Sequence, residues 1–224
     1  MKRDDGAPPS GGKMPGCSPP EMSREERTMN RNHTQYLILT ALFTALTAVG
    51  AFIRIPVGPT PITLQLLFIA LAGVLLGPRW GALSQLLYVG MGLAGVPVFT
   101  GGGGFSYVFS PSFGYLIGFI FVPIIIGFIT QRETRPGFLR IFLATMLGIF
   151  VCYCIGVPYM YIIMRNVMNV DISFARTVMI GFAVFIPGDI AKSLITGYLG
   201  KRLVPAVRRS TAGAGKEQRK QRAA

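Results

Sequence analysis

From Tyr36 onward, apolar residues run in long stretches, separated by short segments dense in Pro, Gly and charge. Runs that are apolar on every side, without polar alternation, predict helices surrounded by something other than water. Six spans are expected, at roughly 36–53, 63–76, 80–93, 115–130, 139–164 and 178–199. A spanning helix needs about 20 apolar residues, with a range near 17–25. The second, third and fourth spans fall short of that, so they are expected to be tilted or shielded by neighbours.

The segments between spans are informative. The link Arg54-Ile-Pro-Val-Gly-Pro-Thr-Pro-Ile62 carries Pro56, Pro59 and Pro61 and excludes a continuous helix. Gly77-Pro78-Arg79 ends the second span, and Gln131-Arg-Glu-Thr-Arg-Pro136 the fourth. Between the third and fourth lies Ala94-Gly-Val-Pro-Val-Phe-Thr-Gly-Gly-Gly-Gly-Phe105. The fold class is therefore an all-α membrane protein with six transmembrane helices. Residues 1–35, rich in Pro, Gly, Ser and charge, read as a disordered cytoplasmic tail. Residues 36–203 form the membrane domain, and 204–224 a basic cytoplasmic tail.

Composition agrees. Hydrophobic residues make up 51% of the chain and charged ones only 14%, against about 25% charged in a soluble domain. The net charge of +13 flanks an apolar body, which suits retention inside the cell and anionic headgroups better than nucleic acid. Only Arg54, Arg165 and Arg176 fall on outer loops if both termini are inside, and Lys192 lies within a span. The other basic residues are on the inner side, so both termini are expected in the cytoplasm, in a multi-pass protein of the cytoplasmic membrane.

Candidate chemistry is sparse. His33 is the single histidine, and Cys152 and Cys154 stand two apart on one helix, where they do not face each other. No metal site is expected. No Ser-His-Asp set, paired carboxylates within one span or Walker motif occurs, so catalysis is not expected, and any energy from ATP must come from another subunit.

The sharpest signal is Phe185-Ile-Pro-Gly-Asp-Ile-Ala-Lys192. Asp189 and Lys192, three apart, share a helix face near the middle of the sixth span. Each charge at the bilayer centre costs about 2.5–3.5 kcal/mol on insertion scales. Pro187 is expected to kink this helix and free the carbonyl of Ala183. Three uses of the pair are open: mutual neutralisation, a proton relay, or a ligand pocket. The glycine run Gly101 to Gly104 is either a flexible outer loop or, with Phe99, Phe105 and Tyr115, a backbone that closes over a ligand. On the first span Ala41 and Ala45, extended by Ala48, form a small-residue stripe suited to helix docking.

In order along the chain, Leu76-Gly-Pro-Arg-Trp-Gly-Ala-Leu-Ser-Gln-Leu-Leu-Tyr88, Gly95-Val-Pro-Val-Phe99, Pro111-Ser-Phe-Gly-Tyr-Leu-Ile-Gly-Phe119 and Ile186-Pro-Gly-Asp-Ile-Ala-Lys192 form a set that resembles the BioY biotin transport proteins. These are substrate-binding S components of energy-coupling factor (ECF) transporters. The resemblance implies an S-component bundle that binds biotin near the outer face as transported substrate, with no cofactor. It places Asp189 and Lys192 in the pocket, Gln65 beside them, and the link around Arg54 as a lid. Tyr88, Phe99 and Tyr115 would cover the bicyclic ring, and the loop through Gly104 and Phe105 would close above. Ala41 and Ala45 would dock a transmembrane coupling subunit that joins two ATPases. The chain departs from the family pattern at Ser112 and Phe113. It also has only glycine where some members carry a basic residue in the outer loop, which leaves open how the biotin carboxylate is held. Other readings of the same features are an S component for another vitamin, a secondary transporter in which Asp189 carries a proton, and a membrane enzyme.

Overall fold

The computed structural model describes residues 24–56 and 59–221, with side chains described over 33–56 and 59–207. Residues 1–23 of the expected tail lie outside the described residues. Helix α1 spans Arg24–Phe52, so it begins within the segment read as tail. Arg, Glu and Met are good helix formers, and extending an existing helix costs little. The last helix likewise continues through the basic segment to Gln221.

The Pro-dense link after α1 forms a small hairpin. Strand β1 (Arg54–Ile55) pairs antiparallel with β2 (Ile62–Thr63), with Arg54 opposite Thr63 and Ile55 opposite Ile62.

Helix α2, Gln65–Leu93, reverses direction within itself. Gly77 has φ 84° and ψ −172°, a conformation only glycine adopts without strain. The proof of reversal is a hydrogen bond: Gln65 Nε2 donates to Tyr88 Oη at 2.6 Å. In a straight helix residues 23 apart would be separated by about 34 Å. The arms, 65–76 and 78–93, thus form a tight antiparallel pair, the second and third spans of the sequence pattern. Their shortness has a physical reason. Within α2's most apolar stretch 61% is buried in protein, against 33% for α1, so these arms need not match the bilayer thickness.

Helix α3 (Phe113–Thr130) and helix α4 (Phe138–Asn166) follow. The turn of α2 is sealed against α3: a methyl on Gly127 would lie 2.3 Å from the Pro78 nitrogen. Five helical stretches are long and apolar enough to cross a membrane, and the second is folded into two arms.

The last apolar stretch differs from the expectation of one helix over 178–199. A short helix α5 (Phe174–Gly181) is separated from α6 (Ile186–Gln221) by a break at Phe182 (φ −133°, ψ −60°) and a 3-10 turn, Ala183–Phe185. Pro187 stands in the first turn of α6, where its missing N–H costs nothing. It starts a helix and does not kink one. Asp189 therefore lies in the first turn of α6, not at mid-helix. The main core, including Ile69, Tyr88, Val122, Ile126, Ile141 and Val204, ties α2, α3, α4 and α6 together.

Candidate functional site

The start of α6 delivers two charges to the interior. Asp189 is 2% exposed and Lys192 7%. Lys192 Nζ donates to Asp189 Oδ1 at 2.9 Å, as the three-residue spacing requires. Asp189 Oδ2 accepts from Tyr153 Oη on α4. Each carboxylate oxygen is thus engaged by a donor, and the anion sits at a helix N-terminus, where the backbone dipole favours it. Lys192 gives only one of its three N–H donors to a described residue.

Lys192 stands in the wall of a cavity. This cavity has a volume of about 60 Å³. Gln65, Thr63 and Leu66 line it from α2 and β2, Tyr115, Leu116 and Phe119 from α3, and Tyr153 and Phe185 from α4 and the 3-10 turn. Thr60, Thr100, Tyr107 and Ser112 bring hydroxyls from the hairpin link and from the segment between α2 and α3. An apolar, aromatic chamber with a few convergent polar groups is the usual form of a small-molecule site.

The polar groups are oriented by their neighbours. Thr63 Oγ1 donates to Gln65 Oε1 at 3.1 Å, Gln65 Nε2 donates to Tyr88 Oη, and Tyr88 Oη donates to the Val98 carbonyl at 3.0 Å. This relay fixes the Gln65 amide and ties the hairpin to the loop after α2. Tyr115 Oη donates to the Gly181 carbonyl at 2.8 Å, holding α3 to α5. Its ring meets that of Tyr153 edge-on, with centroids 5.9 Å apart. Phe182 and Phe185 pack on Tyr153 at 5.0 and 6.2 Å.

Of the residues singled out from sequence, Lys192, Gln65 and Tyr115 line the chamber. Asp189 stands behind its wall, in contact through Lys192 and Tyr153, and borders a separate apolar recess with Met146, Phe150 and Ile190. Tyr88 is fully buried and acts on the chamber through Gln65. Phe99 packs between Tyr88 and Tyr107, with centroids at 5.5 and 4.7 Å, behind the wall. Gly104 (φ 106°) donates its N–H to the Gly92 carbonyl at 2.7 Å and so shapes the loop without lining the chamber. Phe105, read as part of the closure, opens a 3-10 turn and is 72% exposed. Ala41 and Ala45 are exposed on the outward face of α1, beside Leu42 and Val49, while Ala48 packs against the core.

Sequence reasoning missed Tyr153, whose partner Asp189 is 36 residues away. The available signal was a tyrosine inside an apolar span, whose hydroxyl must find a partner when buried.

Known proteins resemble this chain over most of its length. A family model described as the BioY family matches residues 22–209. A probable biotin transporter BioY of Lysinibacillus sphaericus is 41% identical over 184 residues, covering 82% of this chain and 94% of that protein. A biotin transporter BioY of Thermotoga maritima is 32% identical over 168 residues, covering 75% and 94%. Among solved structures, the S-component for biotin from an ECF-type ABC transporter matches with a TM-score of 0.68 at 30% identity, covering 81% of this chain and 94% of that one.

Proposed function

The chain belongs to the BioY family, and on that premise we propose that it binds biotin at the outer side of the cell membrane as the substrate-specific S component of an ECF-type transporter. It is a transporter subunit and not an enzyme. One observation supports the reading: Lys192, held 2.9 Å from the buried Asp189, stands in the wall of an aromatic chamber with two N–H donors uncommitted to any described residue.

Biotin suits that chamber. Its ureido ring has a carbonyl and two N–H groups, its bicycle is apolar, and its tail ends in a carboxylate. Lys192 donates to the ureido carbonyl. Asp189 and Tyr153 hold Lys192 in place, and Gln65 Oε1 accepts a ureido N–H in exchange for Thr63. Tyr115, Phe119 and Phe185 cover the bicycle. Burial of that apolar surface supplies most of the affinity, at about 25 cal/mol per Å², and the polar contacts fix orientation.

Entry is from outside. With the two arms of α2 counted as separate passes, both termini fall on one side, and the excess of basic residues there supports that side as cytoplasmic. The chamber opens between the β1–β2 hairpin and the loop over residues 94–112, on the opposite face. An S component implies partner subunits. Ala41 and Ala45, exposed on α1, form a face where a transmembrane coupling subunit with two ATPases would dock. Equilibrium binding of radiolabelled biotin, thiamine, riboflavin and folate to the purified protein tests the ligand. Retention of biotin alone is expected; preference for another vitamin would overturn the assignment while leaving the architecture.

A further inference from the structure

A second cavity lies outside the chamber, bounded by Arg54 and Pro59 of the hairpin lid and by Gly101, Gly103 and Ser106 of the facing loop. Pro61, Thr100, Tyr107 and Ser112 line both spaces. The second space therefore lies directly against the chamber that Lys192 lines.

Arg54 and Lys192 are the charged residues in these walls, one in each space, and no Asp or Glu among the described residues lines either. Their situations differ. Lys192 is neutralised by Asp189. Arg54 has no carboxylate within ion-pair reach among the described residues. Its Nη1 donates to the carbonyl oxygen of Thr100. That carbonyl belongs to a tight turn in which Phe99 and Gly102 exchange backbone hydrogen bonds of 2.9 and 3.1 Å. The guanidinium is thereby held at the mouth, with most of its five N–H donors free for another acceptor. Between the charges runs a chain of hydroxyls: Thr100 Oγ1 meets Tyr107 Oη at 3.0 Å, Tyr107 Oη meets Ser112 Oγ at 2.9 Å, and Ser112 Oγ meets Ser110 Oγ at 2.9 Å.

We propose that Arg54, on the hairpin between α1 and α2, is the residue that recognises the ligand's carboxylate. The inference rests on the biotin reading and deepens it. A ligand whose polar ring lies against Lys192 directs its acyl tail along the hydroxyl chain and its acid group toward Arg54. A guanidinium fork matches a carboxylate with two parallel hydrogen bonds. The facing loop, Gly101 to Gly104, supplies backbone but no cation, so the positive charge comes from the opposite wall. Because Arg54 also grips the Thr100 carbonyl, a carboxylate bound there joins the hairpin to the loop over the ligand.

The test compares biotin with biotinamide, in which the acid is a neutral amide, on the parent protein, Arg54→Ala and Arg54→Lys in detergent. The parent is expected to prefer biotin by about tenfold or more. Arg54→Ala is expected to lose that preference: biotin weakens about tenfold while biotinamide holds within about twofold. Arg54→Lys should keep part of the preference through its point charge. If Arg54→Ala keeps the parent's ratio of biotin to biotinamide affinity, the inference is wrong, whether both affinities stay or both fall together as loss of a lid contact alone would cause. A parent protein that binds neither compound overturns the biotin reading itself and this inference with it.

Discussion

Replacing Lys192 by Met separates the two tasks assigned to that side chain. Methionine keeps the length and apolar stem, so packing changes little. Asp189, 2% exposed, then keeps only Tyr153 as a side-chain donor. Removing one member of a buried ion pair costs about 3–5 kcal/mol, because the other charge is left uncompensated. For a domain of this size that is a Tm lower by about 10 °C. Replacing Asp189 by Asn in the same chain removes the stranded charge, and most of the lost stability should return. Affinity should not return. Lys192 contributes a charge-assisted hydrogen bond worth about 1.5–3 kcal/mol, so both the single and the double variant should bind biotin about 10- to 150-fold more weakly than the parent. Thermal unfolding in detergent reads the first quantity and calorimetric titration the second. Folded Lys192→Met binding within about threefold of the parent would refute the ligand contact. A double variant no more stable than the single one would refute the buried pair.

Three further outcomes are expected. Tyr153→Phe removes one donor from Asp189 and should weaken biotin about three- to tenfold while the protein stays folded, as calorimetry beside a thermal scan can check; unchanged affinity would remove Tyr153 from the site. Gly77→Ala forces a side chain onto φ 84° and against the Gln131 amide, costing about 1–2 kcal/mol or more, whereas Gly90→Ala, whose methyl would meet nothing within 4 Å, should not lower the Tm. In a background without the three native cysteines, Ser106→Cys should react with an impermeant maleimide on intact cells and Glu133→Cys only after permeabilisation; the reverse pattern would invert the topology.

Much of the site was legible where chemistry is local. Two opposite charges three residues apart in an apolar span have to meet, and Lys192 and Asp189 do. Gly77-Pro78 reads as the end of a helix for reasons of backbone sterics alone, and the chain turns back there. Misreadings arose where one residue type has two structural uses. Pro187 reads from sequence as a kink, but a proline in a first turn begins a helix, and this places Asp189 in the first turn of α6. Phe105, an aromatic beside glycines, was expected over the ligand, yet only the 3-10 turn that follows decides which way its ring points, and it points outward.

The hydroxyls of Thr63, Thr100, Tyr107 and Ser112 could not be read from the chain at all. They come from two loops that meet only because α2 reverses and brings its two ends, at Gln65 and Tyr88, side by side. Tyr153 is similar: its value depends on α4 and α6 packing across the chamber. Spacing along one helix is visible in sequence, and spacing between helices is not.

The most direct test is an experimental structure of the protein with biotin bound. The ureido ring is expected between Gln65 and Lys192, with its carbonyl within hydrogen-bonding distance of Lys192 Nζ and its ring against Tyr115 and Phe185. Biotin found instead in the apolar recess beside Met146 and Phe150, or outside the helices altogether, would contradict the site described for Lys192 and Asp189.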